Sequence, residues 1–175
     1  MTTVSVGKGL TENKNPDSME HMKARTIEFT LAFCFLGAAL CFAADPQMGL
    51  WKLNAAKSKI TSGTLKYVTV TVESMLGKVK VVGDGIDADG KPVHSEWTGN
   101  FDGKDCAVMG DPIGDTRSYT TVDDRTLNST VKKGGKIIDT VRIVVSADGK
   151  SRTVTVSGTT PKGKKFKNLV VYDKQ

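Results

Sequence analysis

The chain has 175 residues, room for one domain plus a leader. Its 25 Lys and Arg residues against 19 Asp and Glu leave a net charge of +6. That moderate excess favours anionic partners in general, but it does not identify nucleic acid, and no nucleic-acid partner is expected.

Residues 1–18 are polar and aperiodic, and read as a disordered extension or a misread start, because Met19 and Met22 are both plausible starts. From Met22 the pattern is that of a secretion signal. Lys23 and Arg25 form a positive start, Phe29 to Leu40 an apolar run, and small residues follow. Cleavage is expected after Ala43, since a cut after Ala44 would place Phe42 where a small residue is needed. Residues 19–43 are therefore read as the signal peptide. The alternative is a retained anchor, which the short apolar run and Glu28 at its edge disfavour.

Processing would remove Cys34 and Cys41. Neither follows the small residue that lipid attachment requires, because Phe33 and Leu40 precede them. Cys106 would remain alone, with no internal disulfide. Its setting in Cys106-Ala107-Val108-Met109 predicts a buried free thiol rather than a pairing between chains. The charge survives processing: Lys8, Lys14, Lys23 and Arg25 balance Glu12, Asp17, Glu20 and Glu28.

From Ala44 to Gln175 the pattern is all-β and helix-free, one domain throughout. Lys66–Glu73 alternates, with valines on one face and Tyr67, Thr69, Thr71 and Glu73 on the other. Arg152–Ser157 alternates in the same way. Ile137–Val145 carries apolar residues on both faces, as in a strand covered on both sides at one end. Asp89-Gly90-Lys91, Asp102-Gly103-Lys104 and Asp148-Gly149-Lys150 repeat one turn signal, joined by Gly134-Gly135 and Lys162-Gly163. The rhythm predicts about ten strands. They begin near Leu50, Lys66, Lys78, Pro92, Asp105, Thr116, Thr126, Lys136, Ser151 and Phe166. An antiparallel up-and-down meander barrel is expected, with a β-sandwich as the alternative, because a closed barrel leaves no sheet edge exposed. Trp51, in the first apolar strand, is expected to plug one end against Tyr172 in the last. With Trp97, Tyr67, Tyr119, Phe101 and Phe166 these are the aromatics of the core.

Gly49-Leu50-Trp51 resembles the G-x-W of the calycins, the lipocalins and fatty-acid-binding proteins, and Val170–Lys174 resembles their closing strand. Trp51–Lys59, the Asp-Gly-Lys turns and the Val-Tyr-Asp-Lys ending also resemble a set of secreted bacterial proteins of unknown function. The calycin resemblance implies a barrel around a small hydrophobic ligand. Fatty-acid-binding proteins hold the ligand carboxylate with an Arg two residues before the final Tyr. Val170 stands there in this chain, so that clamp is not implied. The Ala55–Leu65 link is also too short for their two lid helices.

Chemical motifs are sparse. His94 and Glu96 share one strand face, about 7 Å apart, and are read as solvent-facing. Gly85–Glu96 has the acid spacing of a calcium loop without its first ligand; a hairpin turn is the reading adopted. Cys106 and His94 could pair as a dyad, but the apolar setting of the thiol argues for an inert one. No G-x-S-x-G, zinc, haem or phosphate-loop motif occurs, so no catalytic residue, metal or cofactor is assigned.

The first expectation is therefore an exported, monomeric, non-enzymatic small-ligand barrel, periplasmic or extracellular. The second is a cell-envelope interaction or inhibitor module with a filled core. An enzyme ranks last. A cavity of at least about 300 Å³ separates the first from the second. Strand count also places Lys57, Lys59, Lys132, Lys133, Lys136, Lys162, Lys164 and Lys165 along one rim. That rim is a candidate docking surface for an anionic envelope polymer or lipid head groups.

Overall fold

The computed structural model describes residues 45–160 and 163–175. The expected extension, signal peptide and cleavage site fall outside them, as does Lys162. Ten antiparallel strands close into one barrel in the order β1-β10-β9-β8-β7-β6-β5-β4-β3-β2. They are β1 Gly49–Leu53, β2 Lys66–Met75, β3 Lys78–Ile86, β4 Pro92–Gly99, β5 Cys106–Met109, β6 Thr116–Asp123, β7 Thr126–Lys133, β8 Lys136–Val145, β9 Ser151–Thr159 and β10 Lys165–Lys174. Consecutive strands pair with each other, and β10 closes on β1 through Trp51↔Lys174 and Leu53↔Tyr172.

The turn chemistry is local. In the β3–β4 tip the Asp87 carboxylate accepts the backbone N–H of Asp89 at 2.8 Å and of Lys91 at 2.9 Å. Gly90 takes the positive φ, +81°, that lets the chain reverse. Gly85–Glu96 is thus a hairpin. Its partner face is external: His94 Nδ1 lies 2.6 Å from Asp84 and Nε2 lies 3.3 Å from Glu96, which pairs with Lys80 at 2.9 Å. The two carboxylates hold the His94 pKa above its usual value.

Register shifts occur in three pairings, β2–β3, β6–β7 and β7–β8, and the first and last re-aim side chains at the cavity. A bulge between Tyr67 and Thr69 shifts the phase of β2. Tyr67 therefore turns inward with Val70 and Val72, while Val68 faces out at 39% exposure. The expected face of three valines is split. In β8, the irregularity opposite Val131 and Lys132 sets Ile138 and Asp139 inward and leaves Ile137 61% exposed. Val144 is also exposed, so the outer face of β8 is not covered as expected.

β1 is short, and the link after it finishes the wall. Residues 54–61 run along β10, with Lys59 bridged to Leu169 and the Asn168 side chain accepting Thr61 N–H at 2.8 Å and donating to Thr64 Oγ1 at 3.0 Å. The only helical piece among the described residues is one 3-10 turn, Ala55–Lys57, whose last N–H donates to Asn54 Oδ1 at 3.1 Å.

The thiol of Cys106 is half-buried, not buried. β5 spans only four residues and pairs little with its neighbours, so its first residue sits at the edge of the core. Its sulfur lies over Gly99, close enough that a Cβ there would approach it to 2.8 Å, and beside Trp97. Thiol-reagent labelling of the folded protein should be measurable yet slower than in denaturant. Equal rates in the two states would place the sulfur in open solvent.

Candidate functional site

The meander fixes the ends of the barrel. The tips between β2 and β3, β4 and β5, β6 and β7, and β8 and β9 lie at one end. The β1–β2 link and the remaining tips lie at the other. The first end is closed. Trp51 is 0% exposed, and its Nε1–H donates to Gln47 O at 3.0 Å. Gln47 is itself buried and donates to Arg125 O at 3.0 Å, tying the segment before β1 to the β6–β7 tip. Arg152 rests on this floor, its guanidinium 4.8 Å from the Trp51 ring and 5.0 Å from the Tyr172 ring. Tyr172 in turn donates to Tyr67 O at 3.1 Å, across the seam above β1. Trp51 and Tyr172 thus sit together at the closed end, joined through Arg152.

Above the floor lies a cavity of about 500 Å³. Its walls are apolar: Val70, Val81, Leu127, Ile143, Val154 and Val156 among others. Trp97, Phe101 and Tyr119 form an aromatic cluster on one side, with Trp97 and Tyr119 4.7 Å apart edge to face. The cavity reaches the second end, where Leu65, Ala88, Ile113 and Phe166 line it.

The polar groups in the cavity fall into two kinds. Some are satisfied. Arg117 pairs with Asp111 at 2.9 Å and reaches Tyr119 Oη at 3.3 Å. Asp111 also accepts the backbone N–H of Ile113 at 3.0 Å and of Gly114 at 3.3 Å, which folds the β5–β6 loop into the mouth. Burial pushes the Tyr67 and Tyr172 phenols up to about 12, so both stay neutral donors. Others are unsatisfied. Arg152 is 5% exposed and faces no carboxylate among the described residues; burial lowers its pKa to about 10. Its Nε, like Arg117 Nε and Ser129 Oγ, is buried without a partner. Asp139 is 7% exposed, with no hydrogen-bond donor among the described residues, and burial raises its pKa to about 6. Gly158 on β9 makes room for it: a Cβ at that position would fall 1.7 Å from the carboxylate.

The sequence pointed to little of this. The two-residue period was the available signal. It sets Arg152 on the face of Val154 and Val156, Arg117 on the face of Tyr119, and Asp139 on the face of Val141, Ile143 and Val145. Charged residues inside an apolar stripe are the mark of a polar interior site. Gln47 lies outside any strand and had no such signal.

The β7–β8 tip with Lys133 and Lys136, the β9–β10 tip with Lys164 and Lys165, and the link with Lys57 and Lys59 share the open end. Their strands are adjacent around the barrel. Lys132 does not add free charge, because it pairs with Asp105 at 2.5 Å. Across the mouth stand Asp87 and Asp89; Asp111 has turned inward to Arg117.

Together these features define a closed ten-strand meander barrel, sealed at one end and hollow, with an apolar cavity open at the other. No family model and no curated protein matches the chain. Among solved structures it is similar to a redesigned β-barrel, mFAP1, bound to DFHBI, at 17% identity and a TM-score of 0.38, covering 74% of this chain and 95% of that one. A second redesigned β-barrel is 15% identical with the same TM-score of 0.38, over 79% and 99% of the two chains.

Proposed function

We propose that this chain is an exported, non-enzymatic, lipocalin-like protein that carries a small, largely hydrophobic molecule. The cavity of about 500 Å³ carries the reading. It exceeds the roughly 300 Å³ that a small-molecule site needs, and it combines apolar walls with a few unpaired polar groups. A filled interior, the basis of the alternative envelope module, would have left no such space. Export rests on the leader pattern of residues 19–43. A neutral environment-sensitive dye should brighten on binding with a stoichiometry near one. Native mass spectrometry should find a small molecule released on unfolding. A protein that neither takes up the dye nor releases a molecule would overturn the reading.

A docking role for the open rim is the second part of the proposal. Its support is the side-by-side placement of three lysine-bearing segments beside the mouth. These lysines would attract anionic lipid or polymer, and salt would screen them. The triple reversal Lys133→Glu, Lys164→Glu and Lys165→Glu should abolish low-salt retention on anionic vesicles. Unchanged retention would eliminate the docking surface.

A further inference from the structure

The interior holds two unpaired charges of opposite sign, and the fold keeps them apart. Arg152 stands opposite Val145 in the β8–β9 pairing, and Asp139 stands opposite Gly158. Residues 139 and 145 lie six positions apart on one strand, about 20 Å at the usual rise per residue. Arg152 is further held at the floor by the Trp51 and Tyr172 rings. The two cannot meet. Each lines the same continuous cavity.

The other charges near Asp139 do not replace a partner. Arg117 stands in the same row two strands away, beyond Val131, and lowers the cost of the Asp139 charge, but it is already paired with Asp111 at 2.9 Å. Lys133 on β7 lines the same mouth and makes no ion pair with it. From β9 only Gly158 and Val156 face it. A buried ion without a partner is unfavourable, and so is a buried hydroxyl such as Ser129 Oγ. A ligand with one polar end would relieve one pole and leave the other.

Resting on the small-ligand reading above, we propose that the cavity selects an elongated, two-headed ligand. An acceptor or anionic group sits at the floor on Arg152. An apolar chain runs along the valine walls. A hydrogen-bond-donating nitrogen, best a protonated amine, meets the Asp139 carboxylate near the mouth. The ligand class is that of long ω-amino acids and similar bipolar amphiphiles.

Displacement of the bound dye tests this with four probes: ω-aminododecanoate, dodecanoate, dodecylamine and the short ω-aminohexanoate. The long two-headed probe should bind at least about tenfold more tightly than either single-headed one, the margin of one charge-assisted hydrogen bond. The short probe should bind poorly, since it cannot reach both poles. In Asp139→Asn the advantage over dodecanoate should vanish, with dodecanoate itself no weaker. In Arg152→Gln the advantage over dodecylamine should vanish; should that variant not fold, the Asp139 arm decides. Equal affinities for the three long probes would overturn the two-headed assignment while leaving the ligand barrel standing. Failure of every probe, and of the dye, would instead remove the barrel's proposed function.

Discussion

Trp51→Ala should destabilise the protein by about 3–5 kcal/mol, as large-to-small changes at fully buried sites do. The indole does three things at once. It fills the closed end at 0% exposure, it satisfies the Gln47 carbonyl, and it lies under the Arg152 guanidinium. Alanine would leave a hole, an orphaned carbonyl and a buried cation with only the Tyr172 ring against it. The floor would also be breached, so dye should leave the cavity faster as well. Trp51→Phe separates these effects. It keeps a ring beneath Arg152 but loses the N–H and part of the ring volume, so about 1–2 kcal/mol of the loss should remain. Urea unfolding curves followed by circular dichroism give both values. An alanine variant that unfolds at the parent's midpoint would show that Trp51 does not close the barrel.

That prediction could be written from the sequence, because an apolar strand with a single Trp reports its own burial. The strand frame was equally legible. Seven of the ten strands begin where the pattern put them, and β1, β5 and β10 begin one residue away. Asp-Gly turns and β-branched runs are local signals, and local chemistry decides them. What failed was phase. The bulges in β2 and β8 insert a residue without changing composition, so nothing in Lys66–Glu73 announces that Tyr67 turns inward. Cys106 failed for a related reason: its apolar run is real, but β5 is too short to draw its first residue fully under. Lys132 reads as rim charge in the sequence because its partner, Asp105, lies 27 residues away and only the paired walls bring them together. The cavity's unpaired charges were visible as exceptions to alternation. Such exceptions acquire meaning only once closure shows which face is inside.

Asp139→Asn should make the unliganded protein more stable at neutral pH, the reverse of what removing a charged side chain from a well-paired site would do. The folded pKa of Asp139 is about 6, against an ordinary value of 3.8, chiefly because burial disfavours the charged carboxylate. Since the folded pKa is the higher one, the folded state holds the proton more tightly than the unfolded state. Below the ordinary value the carboxyl is neutral in both states and contributes no penalty. Between the two values the unfolded chain ionises first, and stability falls as pH rises. Above about 6 the penalty is complete, on the order of 2–3 kcal/mol for a shift of this size. Asparagine has nearly the same shape and never ionises. The variant should therefore gain about 2–3 kcal/mol near pH 8 and almost nothing near pH 4. Comparing the two proteins at each pH cancels His94, Glu96 and the other surface groups they share. Denaturant midpoints at four or five pH values give the curve. A gain that is flat with pH would mean that charge is not what burdens Asp139. A loss at pH 8 would mean that the carboxylate already has a donor. Adding ω-aminododecanoate should reverse the order at pH 8, because a bound ammonium stabilises only the parent's carboxylate.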